Sequence, residues 1–269
     1  MVRSLIFSLR VEPYFWQPKA NNIMVLKRLY TIYLSALFVI TFLLLFPAFF
    51  VLAQRKSWHR HAYRLTNTWG WFFVSVARIK VEIINKNQVE LSKPCIYVAN
   101  HFSYTDIATM PLIEKNACFV GKLSITKAPL FGYYFKSLHI VVDRKSIRQR
   151  AKVIEKNIEA IKEGKSLFMF PEGGIATKNP PYQAAYKDGA FRTAIKMKVP
   201  IVPVSLTNNW RMLPDDGKFL IRDNRIRIVI HKAIDTNGLT DENSSELRSK
   251  TFDVIQDELI NSNKTYLND

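Results

Sequence analysis

CIYVANHFSYTD, residues 95–106, joins a short apolar run to a polar turn that carries both a histidine and an aspartate. Residues 95–99 predict a buried strand, and residues 107–112 predict the helix that follows it. His101 and Asp106 are five positions apart, so on one continuous helix their side chains would point roughly 140° away from each other. We therefore predict a bend between them, which places His101 on a strand-to-helix turn where Asp106 reaches one ring nitrogen.

This pair has two interpretations when only these twelve residues are considered. Asp106 could hold one tautomer of His101, which would leave the other ring nitrogen free to accept a proton. The same residue types also make turns and helix caps, in which case the pair would only stabilise a turn. The rest of the chain decides between them.

The most apolar part of the chain lies near its N-terminus and is flanked by cations. Of the net charge of +17, residues 1–80 contribute +10, from eleven lysines and arginines and a single acid. Residues 29–54 contain no charged residue, and as a helix they would be about 39 Å long, more than the roughly 30 Å of a bilayer core. A second uncharged stretch, residues 65–77, is too short to span. Basic flanks beside such a run indicate membrane lipids as partners and exclude nucleic acid.

The way in which this segment meets the membrane stays open between two arrangements. A helical hairpin lying in one leaflet explains why both flanks of the long run are basic, and we prefer it to a full crossing. We assign residues 1–78 to N-terminal membrane-anchoring helices and residues 79–269 to a second domain. Cys95 and Cys118 sit in apolar runs without metal-site spacing, which fits buried thiols and a cytosol-facing location.

The second domain alternates β-branched runs with amphipathic stretches, a pattern typical of an α/β fold. We predict a single mixed β-sheet of about seven strands flanked by helices and preceded by the membrane-anchoring helical segment. The predicted strands are 79–84, 95–99, 117–120, 139–142, 166–170, 201–206 and 226–230. The clearest helices are predicted at 146–163 and 244–260.

A second polar motif, Phe170-Pro171-Glu172-Gly173-Gly174, follows another apolar run. Proline ends the strand, the glycines allow the backbone to approach a ligand closely, and Glu172 is left at the rim of the sheet. An ordinary Pro-Glu-Gly-Gly turn is the alternative if this motif is considered by itself.

Taken together, the motifs resemble those of the glycerolipid acyltransferases, the family that includes the bacterial 1-acylglycerol-3-phosphate acyltransferases. Four blocks occur in the family's order between residues 95 and 206. They are Asn100-His101-x-Ser103-x-x-Asp106; Gly121-Lys122 with residues 129–132 and 142–144; residues 170–173 with Lys187-x-Gly-Ala-Phe191; and the proline-bearing residues 199–204.

The resemblance implies a membrane-bound enzyme that transfers a fatty acyl group from acyl-CoA or acyl-carrier protein to a lysolipid. The implied acceptor is 1-acylglycerol-3-phosphate, which would give phosphatidic acid at the cytoplasmic face of the cell membrane. His101 would be the general base and Asp106 would orient it. The implied substrate-binding residues are Asn100, Ser103, Lys122, Arg144, Glu172, Gly173, Gly174 and Lys187. The chemistry needs no cofactor, and the histidines show no metal-ligand spacing.

One departure from the family pattern bears on the acceptor. The third block usually continues Thr-Arg-Ser, and the arginine is associated with the acceptor's phosphate, but this chain has Ile175 at that position. Arg144, Lys122, Lys178 or Lys187 could supply the charge, although lysine offers no planar fork. A lysolipid without phosphate, such as an aminoacyl lipid precursor, therefore stays open, and so does a lipid hydrolase using the same His/Asp pair. Ser103 as a nucleophile is disfavoured because the chain has no GxSxG elbow.

Overall fold

Seven strands form the sheet of this protein, whose computed structural model describes residues 20–86, 94–143 and 147–268. The strands are β1 Lys80–Asn85, β2 Ile96–Ala99, β3 Ala117–Lys122, β4 Ile140–Val142, β5 Ser166–Met169, β6 Ile201–Leu206 and β7 Arg225–Ile230. Their order across the sheet is β1-β7-β6-β2-β5-β3-β4. Neighbours are parallel except β6 and β7, which are antiparallel. The predicted single mixed sheet is confirmed.

Eight α-helices accompany the sheet in the described part of the chain. They are α1 Ala20–Ala53, α2 His59–Val76, α3 Thr105–Thr109, α4 Phe131–Leu138, α5 Ile147–Lys162, α6 Gly189–Met197, α7 Asn209–Met212 and α8 Ser244–Asn268. The two helices predicted after residue 140 correspond to α5 and α8, and α8 extends eight residues beyond its predicted end.

The three central strands β2, β5 and β6 are buried along their whole length. Helices cover both faces of a parallel sheet, which explains why these strands are continuous apolar runs instead of alternating ones. The three strands are neighbours and run in the same direction, so their carboxyl ends meet at one edge. The residues that follow Ala99, Met169 and Leu206 are therefore brought together, although they are far apart in the sequence.

Residues 20–76 form a helical hairpin, in which α1 packs against α2. Trp69 of α2 lies against the rings of Phe38, Phe42 and Phe49, with centroids 5.1 to 6.2 Å apart. The indole nitrogen of Trp69 donates a hydrogen bond of 2.9 Å to the hydroxyl of Thr41. This aromatic packing holds the two helices together.

Helix α1 is long and apolar enough to cross a membrane, judged by length and composition. The most apolar stretch of 18 residues within Asn22–Ala53 has a mean hydropathy of 2.7, and only 11% of that stretch is buried inside the protein. Its outward face exposes large side chains, among them Leu44, which is 74% accessible. A core helix of a soluble protein would be buried, so this face fits contact with lipid. The hairpin in one leaflet stays a prediction.

The predicted domain boundary between residues 78 and 79 lies in the short connection from α2 to β1. Side chains on both sides of it nevertheless share one core. The amide of Asn67 donates to the backbone oxygen of Pro111 at 2.6 Å, and the rings of Phe49 and Tyr134 pack edge to face at 4.7 Å. The hairpin is therefore fastened to the α/β part, and the division at residue 78 stays a prediction.

Candidate active site

The polar turn after β2 bends as predicted, because α3 begins only at Thr105. Asn100 anchors the start of this turn to the neighbouring strand β6. Its amide donates to the backbone oxygen of Leu206 at 3.1 Å and accepts the backbone N–H of the same residue at 2.8 Å. Asn100 is fully buried and its side chain makes these two hydrogen bonds. It therefore stabilises the conformation of the turn.

His101 and Asp106 form the predicted pair. Nδ1 of His101 lies 2.9 Å from Oδ2 of Asp106. A carboxylate only accepts hydrogen bonds, so Nδ1 carries the proton and Nε2 is left as the basic nitrogen. The ring of Phe170 stacks on the imidazole with centroids 4.3 Å apart, which restricts its rotation. The imidazole is thus held in one tautomer and one orientation.

Asp106 is fully buried, and several donors surround its carboxylate. Besides His101, its Oδ2 accepts the backbone N–H groups of Phe102 and Ser103, each at 2.8 Å. Its Oδ1 accepts the side-chain amide of Asn209 at 2.9 Å. Four donors hold this buried carboxylate in one orientation beside the imidazole.

Asn209 is a site residue that the sequence reasoning missed. It lies at the start of α7, is fully buried, and its amide also donates to the hydroxyl of Thr109 at 3.1 Å. Its position three residues after the end of β6 was the available signal, because polar residues just beyond neighbouring parallel strands converge at one edge. No motif marks it in the sequence.

Replacing Asn209 by leucine should affect stability and catalysis together. The variant leaves Oδ1 of Asp106 without a donor in a buried place, which costs about 1 to 3 kcal/mol of unfolding free energy. Because Asp106 can then shift relative to His101, we expect kcat to fall about ten- to hundredfold with KM unchanged. Urea unfolding and steady-state kinetics measure the two effects. Asn208→Ala is the matched control. If Asn209→Leu kept the full kcat, Asn209 would have no positioning role.

Glu172 was predicted to bind the acceptor, but both of its carboxylate oxygens are occupied by the protein. Oε1 accepts the backbone N–H of His101 at 2.8 Å, and Oε2 accepts the backbone N–H of Ala184 at 3.0 Å. Burial raises the pKa of Glu172 to about 7, and the two backbone donors oppose that rise. The contacts make Glu172 a support for the His101 turn.

Ser103 is also buried and committed to local contacts. Its hydroxyl donates to the backbone oxygen of Leu213 at 2.8 Å and accepts the backbone N–H of Thr105 at 3.2 Å. These bonds connect the polar turn after β2 to the segment that follows α7. The geometry agrees with a structural use of this serine rather than a nucleophilic one.

The remaining predicted site residues differ in where they lie. Gly173 and Gly174 form the turn after Glu172 with φ values of 85° and 156°. The ammonium of Lys187 lies so close to Gly173 that a Cβ at this position would collide with it. Lys122 ends β3 and is exposed, whereas Arg144 lies outside the described residues. The structure thus places the ammonium of Lys187 beside the turn at Gly173.

This chain is similar to known proteins in sequence and in structure. The acyltransferase family model matches residues 80–207. The 1-acyl-sn-glycerol-3-phosphate acyltransferase of Haemophilus influenzae is 32% identical over 187 residues, covering 66% of this chain and 73% of that protein. A Chlamydomonas reinhardtii protein of the same name is 30% identical over 195 residues, 71% of this chain and 58% of its own length.

A plant protein and a solved structure are also similar to this chain. Chloroplastic LPAT1 of Arabidopsis thaliana, a 1-acyl-sn-glycerol-3-phosphate acyltransferase, is 28% identical over 223 residues, 81% of this chain and 60% of that protein. The chain therefore spans about three fifths of the length of its algal and plant relatives. The crystal structure of PlsC from Thermotoga maritima superposes with a TM-score of 0.69 at 22% identity, covering 90% of this chain and 96% of that one. This likeness concerns the fold.

Proposed function

Because this chain belongs to the acyltransferase family, we propose that it transfers a fatty acyl group from a thioester to the hydroxyl of a lysolipid. The observation that carries the proposal is the 2.9 Å contact between His101 and the buried Asp106 at the carboxyl edge of the sheet. This contact leaves Nε2 of His101 available as a base, and protein side chains already orient the imidazole.

The proposed reaction uses His101 as its base. Nε2 removes the proton of the acceptor hydroxyl while that oxygen attacks the thioester carbonyl, and Asp106 stabilises the resulting imidazolium. The tetrahedral intermediate then collapses, the C–S bond breaks, and the thiolate leaves. A thiol has a pKa of about 8.5, so it leaves with little help and can recover the proton from the imidazolium. One well-placed base is therefore sufficient.

The oxyanion of the intermediate needs a donor, and most backbone amides near the site are already used. The N–H groups of His101, Phe102 and Ser103 donate to Glu172 or Asp106. The N–H of Gly173 donates to the backbone oxygen of Phe170 at 3.0 Å. The N–H of Gly174 has no partner among the described residues, which supports it as the donor to the oxyanion.

We propose 1-acylglycerol-3-phosphate as the acceptor and phosphatidic acid as the product. The names of the relatives support this acceptor, and Lys187 beside Gly173 supplies a cation where the family arginine is replaced by Ile175. The donor would be acyl-CoA or acyl-carrier protein, since both are anionic and the chain carries a net charge of +17. A lysolipid without phosphate is the second candidate because of Ile175.

The location proposed for the enzyme is the cytoplasmic face of the cell membrane. The exposed apolar face of α1 supports membrane attachment. Cys95 and Cys118 are both buried free thiols, which agrees with a reducing compartment.

A panel of lysolipid acceptors tests the reaction and the acceptor together. The purified protein in detergent is given a labelled acyl thioester and lysolipids with or without a phosphate monoester. Lys187→Gln should raise KM for 1-acylglycerol-3-phosphate about tenfold, the effect of losing one charged hydrogen bond, and should not change KM for phosphate-free acceptors. Lys196→Gln, an exposed lysine of α6, is the control.

Two outcomes of this assay would contradict the proposal. Release of free fatty acid without any acceptor would indicate a hydrolase. Preference for a lysolipid without phosphate, with no effect of Lys187→Gln, would leave acyl transfer in place but exclude the proposed acceptor.

A further inference from the structure

A cavity separate from the His101 turn lies between the first half of α1, the α2–β1 connection and the segment before β7. Its volume is about 810 Å³. This is within the range of cavities that hold a small ligand. None of the residues of the two polar motifs line it. It therefore belongs to a different part of the surface from the candidate active site.

The wall of the cavity is apolar and held in place. Ile23, Leu26, Tyr30 and Tyr33 of α1 contribute to it. The hydroxyls of both tyrosines donate to backbone oxygens of the α2–β1 region, at 2.8 Å for Tyr30 and 3.1 Å for Tyr33. These bonds fix the rings, so the wall is formed before any ligand enters.

Three cations from three elements also line the cavity. Lys27 lies on α1, Arg78 lies in the α2–β1 connection, and Arg222 precedes β7. Arg222 forms an ion pair with Asp216. Neither Lys27 nor Arg78 has an acidic partner among the described residues. An apolar wall with such cations beside it matches an amphiphile with an anionic head.

One acidic residue, Asp223, lines the cavity as well. Its carboxylate forms an ion pair of 3.1 Å with the guanidinium of Arg225, and only 13% of its side chain is exposed. The negative charge of Asp223 is therefore balanced within the protein, and the lining keeps an excess of positive charge.

The cavity opens on the face of the protein that we expect to contact lipid. Ile23 and Leu26 line it and are 40% and 56% exposed on α1. A bilayer lipid can therefore enter sideways from the membrane, whereas a soluble anion would gain nothing from the apolar wall.

We propose that this cavity binds the headgroup and adjoining chain of an anionic bilayer phospholipid. The site is distinct from the acyl-transfer site and does not depend on the proposed reaction. One segment contacts both places: Leu213 accepts the hydroxyl of Ser103, and Ile221, eight residues later, donates its backbone N–H to the hydroxyl of Thr31 at 3.0 Å.

Native mass spectrometry of the full chain in detergent micelles tests lipid retention directly. Phosphatidylglycerol should be retained in preference to phosphatidylcholine with the same chains. Each cation near an anionic headgroup strengthens binding about fivefold, so the double variant Lys27→Gln/Arg78→Gln should bind phosphatidylglycerol about thirtyfold more weakly. Arg60→Gln/Lys152→Gln, which removes two exposed cations that do not line the cavity, should bind like the wild type. Equal retention of both lipids, or unchanged retention by the Lys27/Arg78 variant, would overturn the proposal.

Two further measurements identify the occupant. Inorganic phosphate should fail to displace the lipid, because phosphate makes no favourable contact with the apolar wall. Displacement by phosphate would count against a phospholipid site. A photoreactive p-benzoylphenylalanine in place of Leu26, which is exposed, should crosslink to phospholipid in vesicles containing phosphatidylglycerol. A crosslink to residues 1–19 of the chain or to another protein, in place of lipid, would assign the cavity to that occupant instead.

Discussion

Replacing His101 by alanine should lower kcat about 10²- to 10⁴-fold, because the reaction loses its proposed general base. The substitution removes the imidazole that Asp106 and Phe170 orient at the carboxyl edge of the sheet. The backbone N–H of His101 still donates to Glu172 in the variant, so the turn should keep its shape. Acyl transfer to lysolipid and thermal unfolding should be measured on the same preparation.

His61→Ala is the matched control for this substitution. His61 is exposed on α2 and lies outside the candidate site, so its loss should change neither kcat nor the unfolding temperature. If His101→Ala transferred acyl groups at the wild-type rate while folded, His101 would be only part of a stable turn, and the proposed mechanism would be wrong.

Asp106→Asn should lower kcat about 10³- to 10⁴-fold, similar to the loss of the aspartate in a Ser-His-Asp triad. If the new amide oxygen faces His101, Phe102 and Ser103, the new NH₂ group meets the NH₂ group of Asn209, so two donors face each other. If the amide is turned around, its NH₂ group opposes the three other donors instead. Either orientation also removes the charge that stabilises an imidazolium.

The exchanged double variant Asp106→Asn/Asn209→Asp separates these two effects. The amide introduced at position 106 could then accept from His101 and the backbone, while its NH₂ group donates to the carboxylate introduced at position 209. We expect the free energy of unfolding to recover most of what Asp106→Asn loses, because the hydrogen-bond pairing is restored. The kcat should stay well below that of the wild type, because the negative charge no longer contacts the imidazole. Full recovery of kcat would show that Asp106 acts only through the fold.

The strands and most helices could be predicted because their patterns are local. Residues 95–99, 166–170 and 201–206 are continuous apolar runs ended by polar or proline-bearing turns, and each is a strand of the central sheet. The bend between His101 and Asp106 followed from helix geometry alone. The order of the strands was not predictable, since pairing depends on contacts between residues distant in the sequence.

The roles of Glu172 and Asn209 show where sequence reasoning stops. Glu172 was recognised as a site residue, but the identity of its partners, the backbone N–H groups of His101 and Ala184, depends on how β2 and β5 pair. Asn209 was missed because it is 103 positions from Asp106 and belongs to no motif. Only the adjacency of β2 and β6 brings the two side chains within 2.9 Å of each other.

The sequence by itself determined the family, the long apolar helix and the pairing of His101 with Asp106, because each depends on residues close together in the chain. The tertiary structure decided which groups hold that pair in place, which cation lies beside the Gly173 turn, and where an apolar wall meets cationic side chains. These arrangements depend on strand order and on the packing of α1 against the rest of the chain, and no short stretch of sequence encodes them.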